Sequence, residues 1–449
     1  MLLEREAAGR PVTVGVIGAG KFSTMFLAQA RLTRGMHVLG VADLDVARAT
    51  NQLRAAGWPV PALSAISLAD ACKHGRTHIT SDAGALIAFP GVEVIVEATG
   101  IPSAGIRHAM DSIANGKHIV MVNVEADALA GPLLAREARR AGVVYSLAWG
   151  DQPALICGHV DWARTCGFKV VAAGKGTRYE PRYHRSTPDS LWDILDKYLQ
   201  ITDRASINPK MFNSFIDGSK SAIEMTAVCN TTGLVPQNDG LSFPAASRFE
   251  LADVCKPKAA GGMLEKAGVT EVVSSVRRDG SDVAHHLALG TFVVVEGETD
   301  YARQCFREYA MLPDQSGRYA ALYRPIHMIG LELGISVASA ALRREPTGAP
   351  TGFRSDVIAT AKRPLKRGEV LDGEGGFCVW GKQVPAEHSL RDGLLPLGLA
   401  HAVTLRHEIA EGESLKWSDV SCDENDFAVK VRREMEATFG CTQPRVLPS

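Results

Sequence analysis

Asp217, Lys220 and Glu224 stand at i, i+3 and i+7 in the run NSFIDGSKSAIEM, so on a helix beginning near Asp217 they share one face. Beside apolar Ile223, Met225 and Val228 they form either a solvated ion-pair stripe or one wall of a pocket. In a pocket, two carboxylates keep a lysine charged to orient a hydroxyl or relay a proton. The spacing fits both. A second lysine, Lys175, sits between Gly174 and Gly176 where a strand pattern ends. An ammonium on mobile backbone suits an anion or a carbonyl oxygen, and the same pattern also describes a surface hairpin. The third place is Val12 to Met25, VTVGVIGAGKFSTM. Gly18 allows a sharp turn out of a β-branched strand, and Gly20 lacks the Cβ that would block a pyrophosphate. The helix from about Lys21 then offers unpaired N–H groups and its positive dipole end. Ser23 stands where that fingerprint has glycine or alanine.

The surrounding pattern says which elements hold these groups. After Gly20 a helix carries Met25, Ala28 and Leu32 on one face, and a strand from His37 to Ala42 ends in Asp43, at the distance where an acidic side chain meets the adenosine ribose. The segment Val92 to Ala98 reads as a buried strand and is followed by the turn Thr99-Gly100-Ile101-Pro102 and a helix to Asn115. HIVMVN follows, ending at Asn123 and Glu125, then a helix from Pro132 to Ala141 and a strand from Val143 to Leu147. Strands alternating with helices predict an α/β fold, a doubly wound Rossmann domain over residues 1–150. In such a sheet ligands lie beyond the carboxyl ends of the strands, where Gly18, Asp43, Thr99, Gly100, Asn123 and Glu125 all fall.

Residues 151–345 read as a central α+β catalytic and oligomerisation domain, in which His327 is expected to be a packed core histidine. Glu345 to Gly352, EPTGAPTG, is a linker by composition, and residues 352–449 read as a separate small β module of short strands and glycine turns. The basic run Lys362 to Arg367 within it reads as a solvated loop or as a clamp on an anionic substrate. The chain has 49 Lys plus Arg against 50 Asp plus Glu, so no global field draws it to nucleic acid or an anionic membrane. Its nine cysteines form no C-x-x-C pair, and no apolar run reaches about 18 residues. A cytoplasmic protein with reduced thiols, bound to neither membrane nor nucleic acid, is the expectation.

Taken in order, GAGKFSTMFLAQ, HIVMVNVEAD, YSLAWGDQPAL, AAGKGTRY, NSFIDGSKSAIEM and LYRPIHMIGLELG make the chain similar to the deoxyxylulose phosphate reductoisomerase-like family. The first half resembles homoserine dehydrogenase-like Rossmann oxidoreductases. The last hundred residues resemble the SAF module, a β-clip fold, through KRPLKRGEVL and EIAEGESLKWSDV. Ser23 and Trp149 depart from the family's pattern. The resemblance implies a homo-oligomeric enzyme that acts on a small, phosphorylated molecule, rearranging 1-deoxyxylulose 5-phosphate and reducing the product with NADPH.

Matched motif by motif, it implies cofactor contacts at Gly18, Gly20, Lys21, Phe22, Asp43, Thr99 and Asn123. Substrate contacts or chemistry are implied at Glu125, Asp151, Lys175, Asp217, Lys220 and Glu224. Lys175 or Lys220 would protonate the alkoxide formed by hydride transfer, and Glu125 or Glu224 would serve as base in a rearrangement, with a divalent metal on oxygen ligands left open. Asp43 favours NAD(H) by repelling a 2′-phosphate, whereas Arg48 can turn inward to neutralise one; NADP(H) is the expected cofactor, with NAD(H) as the alternative. Two other readings stay open: a simple dehydrogenase of a polyol, sugar derivative or homoserine-like alcohol, and a non-enzymatic cofactor-binding sensor.

Overall fold

The computed structural model describes residues 1–196 and 208–440, which divide into two compact units. The first comprises Met1–Leu155 with His327–Thr351, and the second Ile156–Ile326 with Gly352–Ser449. The boundaries expected at 150, 345 and 352 therefore regroup. The segment from His327 to Thr351 folds with the nucleotide-type unit, and the C-terminal segment folds with the central one.

In the first unit six strands, β1 (Val12–Ile17), β2 (Met36–Ala42), β3 (His78–Thr80), β4 (Val94–Glu97), β5 (His118–Met121) and β6 (Tyr145–Leu147), form one parallel sheet in the order β3-β2-β1-β4-β5-β6. Such a sheet is covered on both faces, which is why its strands are nearly continuous in Val and Ile. Val12, Val14 and Val16 pack with Phe26 and Leu27 of helix α1 (Lys21–Ala30), while Ile17 joins Leu39, Leu86 and Ile95 in a separate cluster. The buried face of α1 is Ser23, Phe26, Leu27 and Ala30, not the expected Met25, Ala28 and Leu32, and Leu32 is exposed.

Helix α2 (Val124–Arg140) begins well before the predicted Pro132, because the Asn123 side chain accepts the Ala126 N–H and caps it there. The expected linker is docked. Strand β6 ends the sheet, and its Leu147 N–H donates to Gly348 O at 2.7 Å while Thr347 N–H donates to Ser146 Oγ at 2.9 Å. Backbone of this linker segment thus satisfies an edge that would otherwise be open.

Within α2, Asp127 is fully buried and accepts the Tyr145 hydroxyl at 2.8 Å. Burial pushes its carboxyl up to about 7, against the smaller opposing pull of that hydrogen bond. An unfolded chain releases this proton near pH 4, whereas the folded one holds it to about 7. The folded state therefore binds more protons between these values, and stability should fall as pH rises through that window and level off above it. Asp127→Asn should flatten this slope and recover a few kcal/mol at pH 8. Urea unfolding of both proteins at pH 5 and pH 8 measures it, and identical slopes would remove the assignment.

In the second unit helix α3 (Gln152–Thr165), within which the division between units falls, leads into β7 (Lys169–Thr177). Helix α4 (Ser219–Thr232) follows, then β8 (Val269–Ser274), β9 (Thr291–Glu296), β10 (Leu312–Pro313) and β11 (Tyr319–Arg324). The sheet order is β10-β11-β9-β7-β8, with β7 parallel to β8 and antiparallel to β9. One face carries Ala173, Val272 and Val293 against Ile156 and Val160 of α3 and Met225 and Val228 of α4. The fold is thus α/β, a parallel Rossmann-like sheet followed by a second, mixed sheet.

The C-terminal segment supplies β12 (Ser355–Ala361), β13 (Val370–Asp372), β14 (Val379–Pro385), β15 (His401–Leu405) and β16 (Val420–Ser421), closed by helix α5 (Phe427–Gly440). It is not an appendage. The β12–β14 ribbon packs on α4, with Gly381 N–H donating to Ser219 Oγ at 2.8 Å, Asn230 Oδ1 accepting Ser355 N–H at 3.0 Å and Gln383 Nε2 reaching Thr270 Oγ1 at 3.3 Å. Arg432 of α5, itself fully buried, closes the other side through Asp356 at 2.5 Å. Among the described residues no helix is long and apolar enough to cross a membrane.

Candidate active site

Each unit contributes one cluster of chemistry-bearing groups. In the first, Gly18 turns out of β1 at φ +93°, where a Cβ would lie 2.7 Å from Ala98 O, so only glycine fits. Gly20 precedes α1 in extended conformation, no side chain caps the helix, and no atom lies within 4 Å of where its Cβ would be. That combination of open space and first-turn N–H groups is what a pyrophosphate needs, so these residues fit a dinucleotide. Ser23 is accommodated because its buried hydroxyl donates back to Gly20 O at 3.0 Å. Gly20→Val would fill the open space with a branched side chain. Cofactor affinity should fall by two orders of magnitude or more with the melting temperature unchanged, measured by fluorescence titration of NADPH and NADH; unaltered affinity would move the cofactor elsewhere.

Asp43 follows β2, and its carboxylate accepts Ala19 N–H at 2.7 Å, Asp45 N–H at 2.9 Å and the Arg48 guanidinium at 2.8 Å. Burial opposes the charge, yet these donors outweigh it and hold the carboxyl below the usual range. Asp43 therefore faces the site already neutralised by Arg48. Beyond β4, Thr99 donates its hydroxyl to Glu97 Oε1 at 2.5 Å and receives Asn123 Nδ2 at 3.3 Å, and His108 Nδ1 lies 3.2 Å from the same glutamate oxygen. The structure thus brings Thr99 and Asn123 together around a buried carboxylate the sequence reading passed over, although Glu97 stands conspicuously in the apolar run VEVIVEA. Asn123 spends much of its amide on backbone, capping α2 and donating to Ile101 O at 3.0 Å. Lys21 is exposed and Phe22 half-buried in the first turn of α1, and Glu125 is half-buried in the first turn of α2. Asp151 is buried and accepts Gln152 N–H at 2.8 Å where α3 begins, and His327, expected in a packed core, is half-buried.

The second cluster corrects three expectations. Lys175 is not on an exposed hairpin; it is 3% exposed in β7, and its Nζ donates to Glu224 of α4, which is 2% exposed. Its flanking glycines answer to strand packing, because a Cβ at Gly174 would lie 1.7 Å from Glu271 O and one at Gly176 1.7 Å from Leu287 O. Asp217 does not share a helix face with Lys220 and Glu224. It ends the preceding helix, Gly218 takes φ +92°, and α4 starts only at Ser219. Its carboxylate accepts Ser219 N–H at 2.9 Å and pairs with Lys362 of the C-terminal segment at 2.7 Å. The two carboxylates thus hold two other lysines, and Lys220 lies half-buried in the first turn of α4. Lys362 also leaves the expected basic loop, buried and donating to Ser186 O and Gly376 O at 2.7 Å.

Strand register places further residues beside Lys175 that the sequence reading missed. Thr291 on β9 lies directly opposite it, Arg324 on β11 opposite Thr291, and His159 of α3 meets Thr291 Oγ1 at 3.0 Å. No local pattern marks Thr291 or His159, and Arg324 stands within LYRPIHMIGLELG without being singled out there. Among the described residues no group of three or more His, Cys, Asp or Glu side chains is placed to hold a metal ion.

Residues 14–147 match the NAD-binding domain of homoserine dehydrogenase, and residues 150–333 match the catalytic domain of oxidoreductase DRL. Among curated proteins no sequence matches the chain. Among solved structures, myo-inositol dehydrogenase from Lactobacillus casei in complex with NAD(H) and myo-inositol is similar at 15% identity over 64% of this chain and 72% of that one, with a TM-score of 0.34. Dihydrodipicolinate reductase from Paenisporosarcina sp. TG-14 is similar at 11% identity over 75% of this chain and 97% of that one, with a TM-score of 0.35. With a nucleotide cradle in place and both sequence matches naming oxidoreductases, the chain is an NAD(P)-dependent oxidoreductase.

Proposed function

We propose that this enzyme uses NADPH to reduce a small hydroxylated carbonyl compound, and that 1-deoxy-D-xylulose 5-phosphate, rearranged and reduced to 2-C-methyl-D-erythritol 4-phosphate, is the substrate to test first. The observation that carries the reading is the buried Lys175–Glu224 pair on β7 and α4, within the span that matches the DRL catalytic domain. A lysine this deep is retained with its countercharge at a cost of several kcal/mol in desolvation. The bound cofactor supplies the hydride. Lys175 hydrogen-bonds the carbonyl oxygen and gives the developing alkoxide its proton, and Glu224 fixes the direction of the ammonium. The Arg48 guanidinium on Asp43 supports NADPH, since it cancels the charge that would repel a 2′-phosphate and itself binds one.

One observation favours a second reading, dehydrogenation without rearrangement. A rearrangement needs a base on a substrate hydroxyl, and of Glu125 and Glu224, the two expected in that role, Glu224 is held by Lys175. Incubation of 1-deoxy-D-xylulose 5-phosphate with NADPH, followed by carbon NMR of the product, separates the two: a branched skeleton supports the reductoisomerase, a linear one the dehydrogenase. Cofactor choice is read from kcat/KM. A tenfold advantage for NADH, about 1.4 kcal/mol, would mean that Asp43 outweighs Arg48.

A further inference from the structure

The face of the second sheet that packs against α3 and α4 is apolar row after row. Ala173 and Val293 lie opposite one another, and Val295 stands opposite Ala320. The last row breaks this pattern. There Lys175, Thr291 and Arg324 lie side by side on β7, β9 and β11, and directly opposed residues share a face. Burying one polar residue in such a row is ordinary, but here three adjacent strands change character at the same level. Glu224 closes the Lys175 end and His159 meets Thr291 in the middle.

Exposure is graded along the row. Lys175 and Thr291 are buried, whereas Arg324 is half-buried at the far end. Among the titratable and charged groups that meet the row are Glu224 from α4 and His159 from α3. Burial, seconded by the Arg324 charge, lowers His159 to about 4, so a neutral imidazole stands at the middle of the row at physiological pH. Adjacent strands are about 4.8 Å apart, so Lys175 and Arg324 are separated by roughly 10 Å between Cα atoms. That separation sets the scale of a ligand reaching both ends as a small molecule of a few carbons, C–C bonds being about 1.5 Å.

We infer that Arg324 is the specificity-determining residue of this site, binding an oxyanion at the end of the substrate opposite its carbonyl. The inference rests on the proposed role of Lys175 at the carbonyl. The oxyanion is a phosphate or a carboxylate, both of which a guanidinium accepts in bidentate fashion. The wetter end of the row receives the most strongly hydrated group of the ligand, which lowers the cost of stripping its water. Thr291 and His159 fall between the two ends, level with a substrate hydroxyl.

Binding and turnover are measured separately on the full-length protein saturated with NADP⁺ or NADPH. Calorimetric titration with three four-carbon aldehydes, D-erythrose 4-phosphate, succinic semialdehyde and D-erythrose, is carried out on the wild type, Arg324→Met, Arg324→Lys and Arg248→Met. Arg248 is the control, a positive charge over the Tyr323 ring, whose side chain points to the other face of β11. The wild type should bind at least one anionic aldehyde tenfold or more tightly than erythrose, and the preferred one identifies phosphate or carboxylate. Arg324→Met should erase that preference while leaving erythrose affinity unchanged, Arg324→Lys should keep part of it, and Arg248→Met should keep all of it. No anionic preference in the wild type, or an undiminished one in Arg324→Met with a native melting temperature, overturns the assignment. If the preference tracks Arg324 but none of the aldehydes is reduced by NADPH or NADH, the assignment of Arg324 stands and the proposed reduction of such compounds fails.

Discussion

A chain ending at Pro350 is expected to lose the second unit as a folded body while the first still binds its cofactor. Truncation leaves Asp217 buried without Lys362, and removing one partner of a buried ion pair costs about 3–5 kcal/mol. It also strips Ser219, Asn230 and Thr270 of the partners supplied by Gly381, Ser355 and Gln383, at about 1–3 kcal/mol for each polar group left buried and unsatisfied. Together these losses are comparable to the roughly 5–15 kcal/mol by which domains are typically stable. The apolar side of α4 that β12 and β14 cover would be exposed as well. The expected result is a protein that aggregates or shows one unfolding transition where the full chain shows the signal of both units, with NADPH affinity retained in the soluble fraction. Lys362→Met isolates the ion pair and should lower the stability of the second unit by several kcal/mol in urea. If the truncated chain unfolds as the full-length protein does and turns substrate over at the same rate, the C-terminal segment is dispensable and the interlocking described above has no energetic meaning.

Lys175→Met should lower turnover by 10²-fold to 10³-fold, the effect of removing a charge that acts on the developing alkoxide in a site shielded from water. Because the substitution leaves Glu224 buried and uncompensated, stability should fall too. The double variant Lys175→Met, Glu224→Gln removes both charges; it should regain stability but not activity. Cofactor affinity should be unchanged in both, since the nucleotide residues belong to the other unit. Lys220→Met, at a half-buried position in the first turn of α4, should alter turnover by less than tenfold. Steady-state kinetics and melting temperatures on the three variants decide the matter. Activity that recovers along with stability in the double variant would make the pair structural.

Local rules were enough for the nucleotide side of the molecule. A β-branched strand, a glycine that must take positive φ and an uncapped helix start lie within one stretch of chain, and Asp43 ends the next strand. Each feature follows from the conformational preferences of a few consecutive residues, and so does the placing of Thr99 and Asn123 at strand ends. Where one local cue competed with another, the reading slipped. Pro132 suggests a helix start, yet the Asn123 cap begins that helix earlier and carries the proline inside it.

The second unit was decided by tertiary structure. That Lys175 is buried follows from the strands on either side of β7, and the flanking glycines answer to carbonyl groups of β8 and of the segment before β9; the sequence by itself made those glycines look like mobility. Asp217 and Lys220 have helical spacing, but the helix they would share is interrupted at Gly218, and Asp217 finds its partner in Lys362, which only the folding of the C-terminal segment delivers. Thr291 and His159 lie in no quoted motif, and it is strand register for Thr291 and Arg324, and helix packing for His159, that sets them beside Lys175. Periodicity and turn chemistry reach only as far as one element, whereas charge pairing and cross-strand neighbours depend on which distant segments the core brings together.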